Sequence, residues 1–330
     1  MSTNDHTVPQ FYLRRFARRT TGKSAQLMAA TVDRLDAAFP TSPRNVAAVN
    51  GFHWGTDPEG VPHHTMEGLM TSVESAAAPA FSEVLDTAWA LPERWPPTMR
   101  TRVSLSWWVA AQILRTTRQR HRVDHLAGEA AEGGLVEALT PTAGPLHRFA
   151  RNNRHLSFIG EQLAPLAAII GRKPWGIGFS DVCLPTSDVP VVLMSSQDDA
   201  NQLLSVAYWD VLVPLDPHRF LLMTRPGSQD DPATWVDHRL KMDGGMGVFL
   251  TDMLWSAAER HMFWHPDHEP QGLPESHTRG PRLPRPWAGD THSPPQMIME
   301  YGAMPLGTTV ERRWMEHPTR DAGRDHRVPS

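Results

Sequence analysis

The sequence predicts an α+β fold that is mainly helical, with a small antiparallel sheet and a Pro-rich C-terminal tail. Long segments between residues 65 and 171 carry apolar residues at helical spacing. Short β-branched or aromatic runs, bounded by Pro, Asp and Gly, follow between residues 175 and 224. The last segment of the chain is rich in Pro, Gly and charge. We therefore expect one α+β domain over residues 1–270 and a largely irregular tail over residues 271–330.

Composition and charge narrow the class of protein. The chain has 330 residues, of which 40% are hydrophobic and 21% are charged, as expected for a soluble protein with a substantial core. The formal net charge of −4 argues against a generally basic nucleic-acid binder. The single cysteine, Cys183, excludes an internal disulfide and a cysteine-based zinc site. No apolar window reaches the roughly 18 residues of a membrane span, and no signal pattern opens the chain. We therefore expect a cytoplasmic protein without a membrane partner.

The first predicted element is a short helix over residues 6–19. Pro9 suits a first helical turn, where a missing N–H removes no intrahelical hydrogen bond. Tyr12 and Phe16 lie four positions apart and share a face that Leu13 widens. Arginines at the end of the segment match the helix dipole. A strand over residues 26–34 and a loop to about residue 64 are expected to follow.

Two long helices form the centre of the predicted fold. The first begins at Thr65 and has an apolar stripe made of Met66, Met70, Val73, Ala77, Phe81 and Val84. Prolines between residues 92 and 97 then break the chain. The second helix is expected over residues 98–126, with an apolar face made of Val103, Trp107, Ala110 and Leu114. We expect these two helices to pack as an antiparallel hairpin.

The second half of the chain is predicted to add a helix, a set of strands and a further helix. The helix is expected over residues 143–171, before a Pro-Trp-Gly sequence that ends it. The strands are expected over residues 175–179, 190–194, 207–215 and 219–224. A turn that contains two prolines joins the last two strands. Helical spacing then returns over residues 237–263.

The N-terminal sequence HTVPQFYLRRF, residues 6–16, resembles the opening of the family catalogued as domain of unknown function 4238. Three later features follow that family's order: a Glu-bearing helix (MEGLMTSVESAAAPAF), an Arg-containing helix (AAQILRTTRQR) and a Thr-Ser-Asp turn at residues 186–188. A Pro-Leu-x-Pro segment at residues 214–217 completes the pattern, which covers roughly residues 6–260. Val189 departs from it, because family members commonly carry Asn after the Asp. The resemblance implies an arrangement of polar residues and no particular activity.

Nine polar residues match the family's pattern and form the candidate site. The candidate catalytic residues are His6, Glu74 and Asp188, and the candidate ligand-binding residues are Gln10, Tyr12, Arg15, Glu67, Arg115 and Ser187. Histidine is the usual general acid or base near neutral pH. A carboxylate could orient it or bind a divalent metal through oxygen, and arginine suits a phosphate or carboxylate ligand. Together these residue types favour hydrolysis or phosphodiester chemistry.

The sequence leaves three interpretations of these residues open. The first is a hydrolase or nuclease-like enzyme that uses His6 with Glu74 and Asp188, with or without a divalent metal. The second is a non-enzymatic binding or defence-type accessory protein that holds an anionic ligand, such as nucleic acid, in an Arg-rich groove. The third is a buried network that links the N-terminal helix to the helical hairpin, because buried Arg and Glu must be paired.

Other groups of reactive residues are weaker candidates. His261, His265 and His268 approach the spacing of zinc or nickel ligands, but a proline interrupts the predicted helix between them. A serine triad built on Ser187 lacks the glycine-flanked turn of a nucleophile. Cys183 lies between two apolar residues and is typical of a buried small hydrophobe. The sequence contains neither a phosphate-binding Walker loop nor a dinucleotide-binding glycine pattern.

Overall fold

The structure is a computed structural model, and it describes residues 4–19, 25–86, 96–132, 149, 152–180, 182–194, 210–224, 238–242, 244–270 and 273. The helices of these residues are α1 (Gln10–Leu13), α2 (Thr65–Leu85), α3 (Met99–Leu114), α4 (Thr117–Glu132), α5 (Asn153–Arg172) and α6 (Gly244–Ala257). The strands are β1 (Asn4–His6), β2 (Arg18–Arg19), β3 (Ala25–Thr31), β4 (Arg34–Thr41), β5 (Ala48–Asn50), β6 (Gly55–Thr56), β7 (Pro62–His63), β8 (Trp175–Ser180), β9 (Thr186–Ser187), β10 (Val192–Met194), β11 (Asp210–Asp216), β12 (Arg219–Met223), β13 (His238–Met242) and β14 (His261–Trp264). Apart from residue 273, the predicted tail over residues 271–330 lies outside the described residues.

The predicted helical hairpin is present as α2 and α3. Phe81 of α2 packs edge-on against Trp108 of α3, with ring centroids 4.8 Å apart. Glu74 pairs with Arg115 just after α3, whereas Glu83 accepts a hydrogen bond from Thr101 near the start of α3. Residue numbers therefore rise along α2 as they fall along α3, as in an antiparallel pair. α5 packs against the same helix, α3.

The buried face of α3 differs from the predicted one. Val103 is 47% exposed, whereas Leu105, Trp108 and Val109 are buried. The same face buries a polar side chain, Gln112, which apolar spacing alone does not place in the core. The face is therefore offset from the predicted stripe.

The predicted single helix over residues 98–126 is wrong, because Arg115 and Thr116 separate α3 from α4. Arg115 has φ −92° and ψ 35°, which is outside helical geometry. Thr116 Oγ1 accepts a hydrogen bond from the backbone N–H of Gln119 at 3.1 Å, as an N-cap does at the start of a new helix. These local polar contacts mark the break, which apolar spacing alone does not reveal.

The predicted N-terminal helix over residues 6–19 is wrong at both ends. His6 belongs to β1, and the last two arginines of the segment form β2. Only α1 and a short 3₁₀ turn over Arg14–Phe16 are helical. Pro9 lies just before α1 in extended conformation, so α1 starts where proline permits it. The flanking strands pair with β5 and β3, and such tertiary pairing overrides local helical spacing.

The β-structure is far larger than the predicted small antiparallel sheet, so the expectation of a mainly helical protein is wrong. One five-stranded sheet has the order β10-β11-β12-β8-β13. A second five-stranded sheet joins β2, β3, β14 and β9, with β4 also paired to β3. Two two-stranded ribbons, β1-β5 and β6-β7, complete the sheets of the described residues. β8 pairs antiparallel with β12 but parallel with β13, so the first sheet is mixed.

The predicted strands of the second half correspond to β8, β10, β11 and β12. The predicted helix over residues 237–263 is wrong at both ends, since β13 precedes α6 and β14 follows it. The residues of β14, which are predicted to be helical, instead pair with β3 and β9 in the second sheet. The predicted strand over residues 26–34 is β3, but it continues through a turn into β4, in a segment where a loop is expected.

One buried hydrophobic cluster connects the helices to both large sheets. The N-terminal segment belongs to this cluster, because Phe11 and Tyr12 pack against Phe81 and Trp108 of the hairpin. This packing anchors the polar residues that flank the segment. Within the part of the chain that the structure describes, none of the helices has both the length and the apolar character needed to cross a membrane.

Candidate functional site

The candidate site begins where β1 pairs with β5. This pairing holds Asp5 and His6 beside the turn that follows β5. Gly51 opens the turn with φ +68°, and a Cβ at this position would lie 2.5 Å from Cε1 of Phe149. Glycine avoids both the strain and the clash. The turn brings the backbone N–H of His53 to Asp5, where it donates to Oδ2 at 2.7 Å.

Asp5, His53 and Glu67 form a compact group of one imidazole and two carboxylates. One potential ligand atom from each lies within 4.8 Å of the other two, and among the described residues no other set of three such side chains is gathered this closely. His53 Nδ1 lies 2.7 Å from Glu67 Oε2. The His53 side chain is 1% exposed, whereas that of Glu67 is 45% exposed. A buried imidazole therefore lies behind a carboxylate that solvent can reach.

Burial and charge shift the pKa values of this group in different directions. Burial raises the pKa of Asp5, and the charge of Glu67 raises it further. The hydrogen bond from the His53 backbone N–H acts to lower it. The hydrogen bond from His53 lowers the pKa of Glu67, although partial burial acts in the opposite direction. The pKa values of the two carboxyl groups therefore shift in opposite directions, because Glu67 is hydrogen-bonded to the His53 ring and Asp5 to a backbone N–H.

A second polar group lies farther along α2 and consists of Glu74, Arg115 and Gln112. Arg115 Nη1 donates to Glu74 Oε1 at 2.6 Å. With its amide oriented to satisfy both neighbours, Gln112 accepts from Arg115 Nη2, accepts from Nε at 2.8 Å, and donates to the carbonyl of Thr7 at 3.3 Å. The Arg115 side chain is 1% exposed and that of Glu74 is 29% exposed. The buried guanidinium is thus bound on several sides by the protein itself, as a buried charge must be.

His6 lies within electrostatic reach of both groups. Burial lowers the pKa of His6, whereas the carboxylates of Glu74 and Glu67 act to raise it and Arg115 acts to lower it. Gln10 Nε2 lies 2.9 Å from His6 Nε2. Because an amide nitrogen only donates, His6 Nε2 accepts this hydrogen bond and the neutral ring carries its proton on Nδ1. The structure thus brings together five of the nine predicted residues: His6, Gln10, Glu67, Glu74 and Arg115.

Two other predicted residues, Tyr12 and Arg15, hold separate parts of the fold. The buried Tyr12 hydroxyl lies 2.7 Å from Thr186 Oγ1 and donates to the carbonyl of Pro214 at 2.8 Å. Burial raises the pKa of Tyr12 far above its ordinary value. Arg15 Nη2 donates to Asp86 Oδ2 at 3.0 Å, just beyond α2. Tyr12 therefore ties the N-terminal segment to β9 and β11, and Arg15 ties it to the hairpin.

Ser187 and Asp188 lie in a turn of the second sheet. Asp188 accepts hydrogen bonds from the backbone N–H groups of residues 259, 260 and 261 at 2.9, 2.8 and 3.2 Å. Ser187 Oγ donates to the carbonyl of Val189 at 2.9 Å and accepts from its N–H at 3.0 Å. Within the described residues, Asp188 has no hydrogen bond to the group around His6. The expected meeting of Asp188 with His6 is therefore replaced by a cap on the turn before β14.

A partly buried cation, Arg120, lies near Asp5. The guanidinium of Arg120 stacks on the ring of Phe52, 3.7 Å from its centroid, and donates to the Phe52 carbonyl. Burial lowers the pKa of Arg120 to about 10, although nearby carboxylates that include Asp5 oppose the shift. Burial, followed by the charge of Arg120, lowers the pKa of His155 to about 3. His155 is therefore neutral near pH 7.

The histidines of the other predicted metal cluster divide between separate surroundings. His261 belongs to β14, and burial lowers its pKa while Asp188 opposes the shift. The rings of His265 and His268 lie farther along, with centroids 5.2 Å apart. Cys183 Sγ lies 3.7 Å from a histidine Nε2, and burial raises the pKa of the thiol to about 11. A thiol with a raised pKa is a poor nucleophile near neutral pH.

Two residues of the candidate site, Asp5 and His53, are missed by the sequence-based prediction. Asp5 precedes the family's opening motif by one position, so the resemblance does not include it. His53 lies in a segment that looks like an ordinary loop. The Asn50-Gly51 dipeptide before it is a turn signal, which could have indicated that the chain reverses there. Only the pairing of β1 with β5 brings that turn to Asp5.

Comparison with known proteins identifies one related family. Residues 4–151 match the model of a family described as protein of unknown function, DUF4238, which confirms the resemblance over this part of the chain. The matched segment contains all of the residues that converge at the candidate site, namely Asp5, His6, Gln10, His53, Glu67, Glu74, Gln112 and Arg115. No curated protein and no solved structure matches the chain.

Proposed function

We propose that this chain, which carries the DUF4238 pattern over residues 4–151, is a cytoplasmic hydrolase with nuclease-like chemistry. The observation that carries the proposal is a half-buried imidazole, His6, within electrostatic reach of two carboxylates from α2, Glu67 and Glu74. An imidazole beside carboxylates can transfer protons to and from a reacting water and a leaving group. The cytoplasmic location is supported by the single cysteine, Cys183, because a chain with one cysteine forms no internal disulfide and so fits a reducing compartment.

Each side chain has a role that its contacts support. His6 is the proposed general base. Its Nε2 lone pair accepts a hydrogen bond from Gln10, so the attacking water must displace that amide before Nε2 can take a proton. Glu67 is the carboxylate with the greatest access to solvent at 45% exposure, so it can approach a substrate or an attacking water. Glu74 balances the charge of Arg115, whose guanidinium sits close enough to His6 to affect its protonation. Asp188 has no role in this revised site, because its hydrogen bonds cap a turn elsewhere.

The alternative of a non-enzymatic protein that holds an anionic ligand has weaker support. Arg115 is bound to Glu74 and Gln112, and Arg15 is bound to Asp86. An anion would have to displace these partners to gain a bidentate contact with either guanidinium. The interpretation of a buried network fits these arginine contacts well, so the enzymatic proposal depends on His6 and Glu67.

Hydrolysis assays on the full chain with a matched pair of variants test this function. The substrates are a chromogenic phosphodiester, a phosphomonoester, a carboxyl ester, and single-stranded DNA and RNA, each with and without added Mn²⁺ or Zn²⁺. We expect turnover of a phosphodiester, reduced about 10²- to 10⁴-fold in His6→Gln because general acid–base catalysis contributes about that much. His121→Gln changes an exposed histidine on α4 and should leave turnover unchanged.

Thermal unfolding of both variants separates catalysis from structure. The enzymatic proposal expects His6→Gln to melt within a few degrees of the wild type. A large fall in melting temperature would support the buried network instead. Absence of turnover across the panel contradicts the proposal, and if nucleic acid then binds with an affinity that falls steeply with salt, the non-enzymatic alternative is favoured.

A further inference from the structure

We propose that Asp5, His53 and Glu67 form a binding site for one divalent transition-metal ion, such as Zn²⁺ or Mn²⁺. The ligands come from three elements that are distant in sequence: β1, the turn after β5 and the first turn of α2. Their candidate ligand atoms lie within 4.8 Å of one another. Two ligands bound at about 2.0–2.2 Å on either side of one metal are at most about 4.4 Å apart. The spacing of the three ligand atoms is therefore close to the spacing found around a single bound ion.

The His53 imidazole is the buried member of the group. Its ring is 1% exposed, and Nδ1 faces Glu67. The other nitrogen, Nε2, is buried and has no hydrogen-bond partner among the described residues. Because Nδ1 is the ring nitrogen that faces Glu67, Nδ1 would bind the metal and Nε2 would carry the ring proton.

The surroundings contain charges that act for and against a cation. Asp5 and Glu67 bring two carboxylates to one buried imidazole, and each carboxylate raises the cost of charging the other. A bound cation would remove this repulsion. Arg120 acts in the opposite direction, because its guanidinium lies near enough to Asp5 to stabilise the carboxylate. Arg120 is held against Phe52 by its stacking contact and by a hydrogen bond, so it contributes charge but occupies no ligand position.

The ligand set indicates which ions the site would accept. One imidazole nitrogen and two carboxylate oxygens suit Zn²⁺, Mn²⁺ or Fe²⁺, whereas Ca²⁺ and Mg²⁺ prefer sites made entirely of oxygen. A site with three protein ligands keeps at least one position for water or a substrate. Glu67 is the ligand nearest to solvent, so the open position would face outward. Metal binding stands on this geometry alone, but a catalytic role for the metal rests on the proposed hydrolase function.

The site makes a sharp prediction for metal binding by the full chain. Metal-depleted protein titrated with Zn²⁺ and with Mn²⁺ in a calorimeter should bind one equivalent. Asp5→Asn, His53→Gln and Glu67→Gln keep side-chain size and should each weaken binding at least ten-fold. Glu161→Gln, an exposed carboxylate on α5, is the matched control and should bind like the wild type. The visible spectrum of a Co²⁺-loaded sample should change in the three ligand variants and not in the control.

Three outcomes would overturn the proposal. The first is that no metal binds, and the second is that the ligand variants bind as tightly as the wild type. The third is that binding survives in Glu67→Gln but is lost in His268→Gln, which would locate the metal near the C-terminal histidines. If Asp5→Asn or His53→Gln does not fold, the partly exposed Glu67→Gln still decides, together with the metal-induced rise in melting temperature of the wild type.

Failure of the metal site can be told apart from failure of the proposed function. One equivalent of metal that depends on Glu67, with no turnover of any substrate, supports the metal site and contradicts the hydrolase. Turnover that depends on His6 but survives removal of metal by a chelator supports the hydrolase and contradicts a catalytic role for the metal. The titrations of the full chain and its ligand variants then decide whether the metal site exists.

Discussion

Carboxylates are buried in two regions of this chain and are satisfied differently in each. In the C-terminal half, Asp216 accepts hydrogen bonds from two backbone N–H groups and from the guanidinium of Arg219. Asp188 accepts three backbone hydrogen bonds from residues 259–261. Both are held on several sides, and their contacts fix the ends of strands β11, β12 and β14.

The N-terminal group of Asp5, His53 and Glu67 is not fully hydrogen-bonded in this way. Asp5 accepts a hydrogen bond from the His53 backbone but faces a second carboxylate, Glu67. The His53 ring is buried with one nitrogen unsatisfied among the described residues. A carboxylate whose acceptors are all engaged stabilises a fold, whereas a crowded and partly satisfied group has capacity left for a ligand. The contacts of Asp188 and Asp216 therefore indicate structural roles, whereas those of Asp5, His53 and Glu67 support the proposed metal site.

The largest expected effect tests the structural side of this comparison. Asp216→Asn leaves the buried guanidinium of Arg219 without its charged partner, in a pair whose side chains are 8% and 4% exposed. Breaking a buried ion pair in this way costs about 3–5 kcal/mol. Urea unfolding should show a fall of that size in the free energy of unfolding. Asp252→Asn, an exposed carboxylate on α6, is the control, and a loss no greater than the control's would contradict the structural role.

Asp188→Asn should have the next largest effect. The amide keeps one acceptor oxygen but directs its NH₂ group at backbone N–H donors, so at least one charge-assisted hydrogen bond is lost. Hydrogen bonds to charged groups contribute about 1.5–3 kcal/mol, and we expect a loss of about 2 kcal/mol in the same urea experiment. Turnover and metal binding should remain at the wild-type level. A variant that folds well but loses turnover would return Asp188 to the catalytic site.

The pH dependence of stability sharpens the same comparison. Burial acts to raise the pKa of Asp216, but Arg219 and the backbone donors outweigh it and hold the pKa below the ordinary 3.8. Asp216 therefore contributes stability that is present above about pH 4 and is lost as the pH falls through its pKa in the folded protein. Urea unfolding at pH 7 and at pH 3 should show a smaller loss in Asp216→Asn than in the wild type. An equal loss in both proteins would show that this carboxylate does not set the acid sensitivity.

Local sequence patterns predict the elements that depend on local contacts. The apolar stripe of α2 and the strands β8, β11 and β12 follow from spacing within one segment. The patterns fail for β1, β13 and β14, because those segments become strands by pairing with distant partners. The patterns also miss the break between α3 and α4, because this break depends on the contacts of Arg115 and Thr116.

The candidate site is likewise predicted only in part. The family resemblance indicates His6, Gln10, Glu67, Glu74 and Arg115. The last four lie within hydrogen-bonding or electrostatic reach of His6. It does not indicate Asp5 and His53, which join the site through the β1-β5 pairing and a glycine turn. It also includes Tyr12, Arg15, Ser187 and Asp188, which hold the fold together elsewhere. Residue type alone does not separate a polar residue that binds a ligand from one that caps a turn.

The smallest expected effect on stability belongs to Glu67→Gln, and it is the most informative. The side chain is 45% exposed, so solvent weakens its hydrogen bond with His53, which contributes less than about 1 kcal/mol. The amide also retains an oxygen that can accept from His53 Nδ1. The free energy of unfolding should therefore change by less than about 1 kcal/mol in urea, while metal affinity falls at least ten-fold. A loss of stability as large as that of Asp188→Asn would make Glu67 one more structural carboxylate and would remove the difference between the two regions.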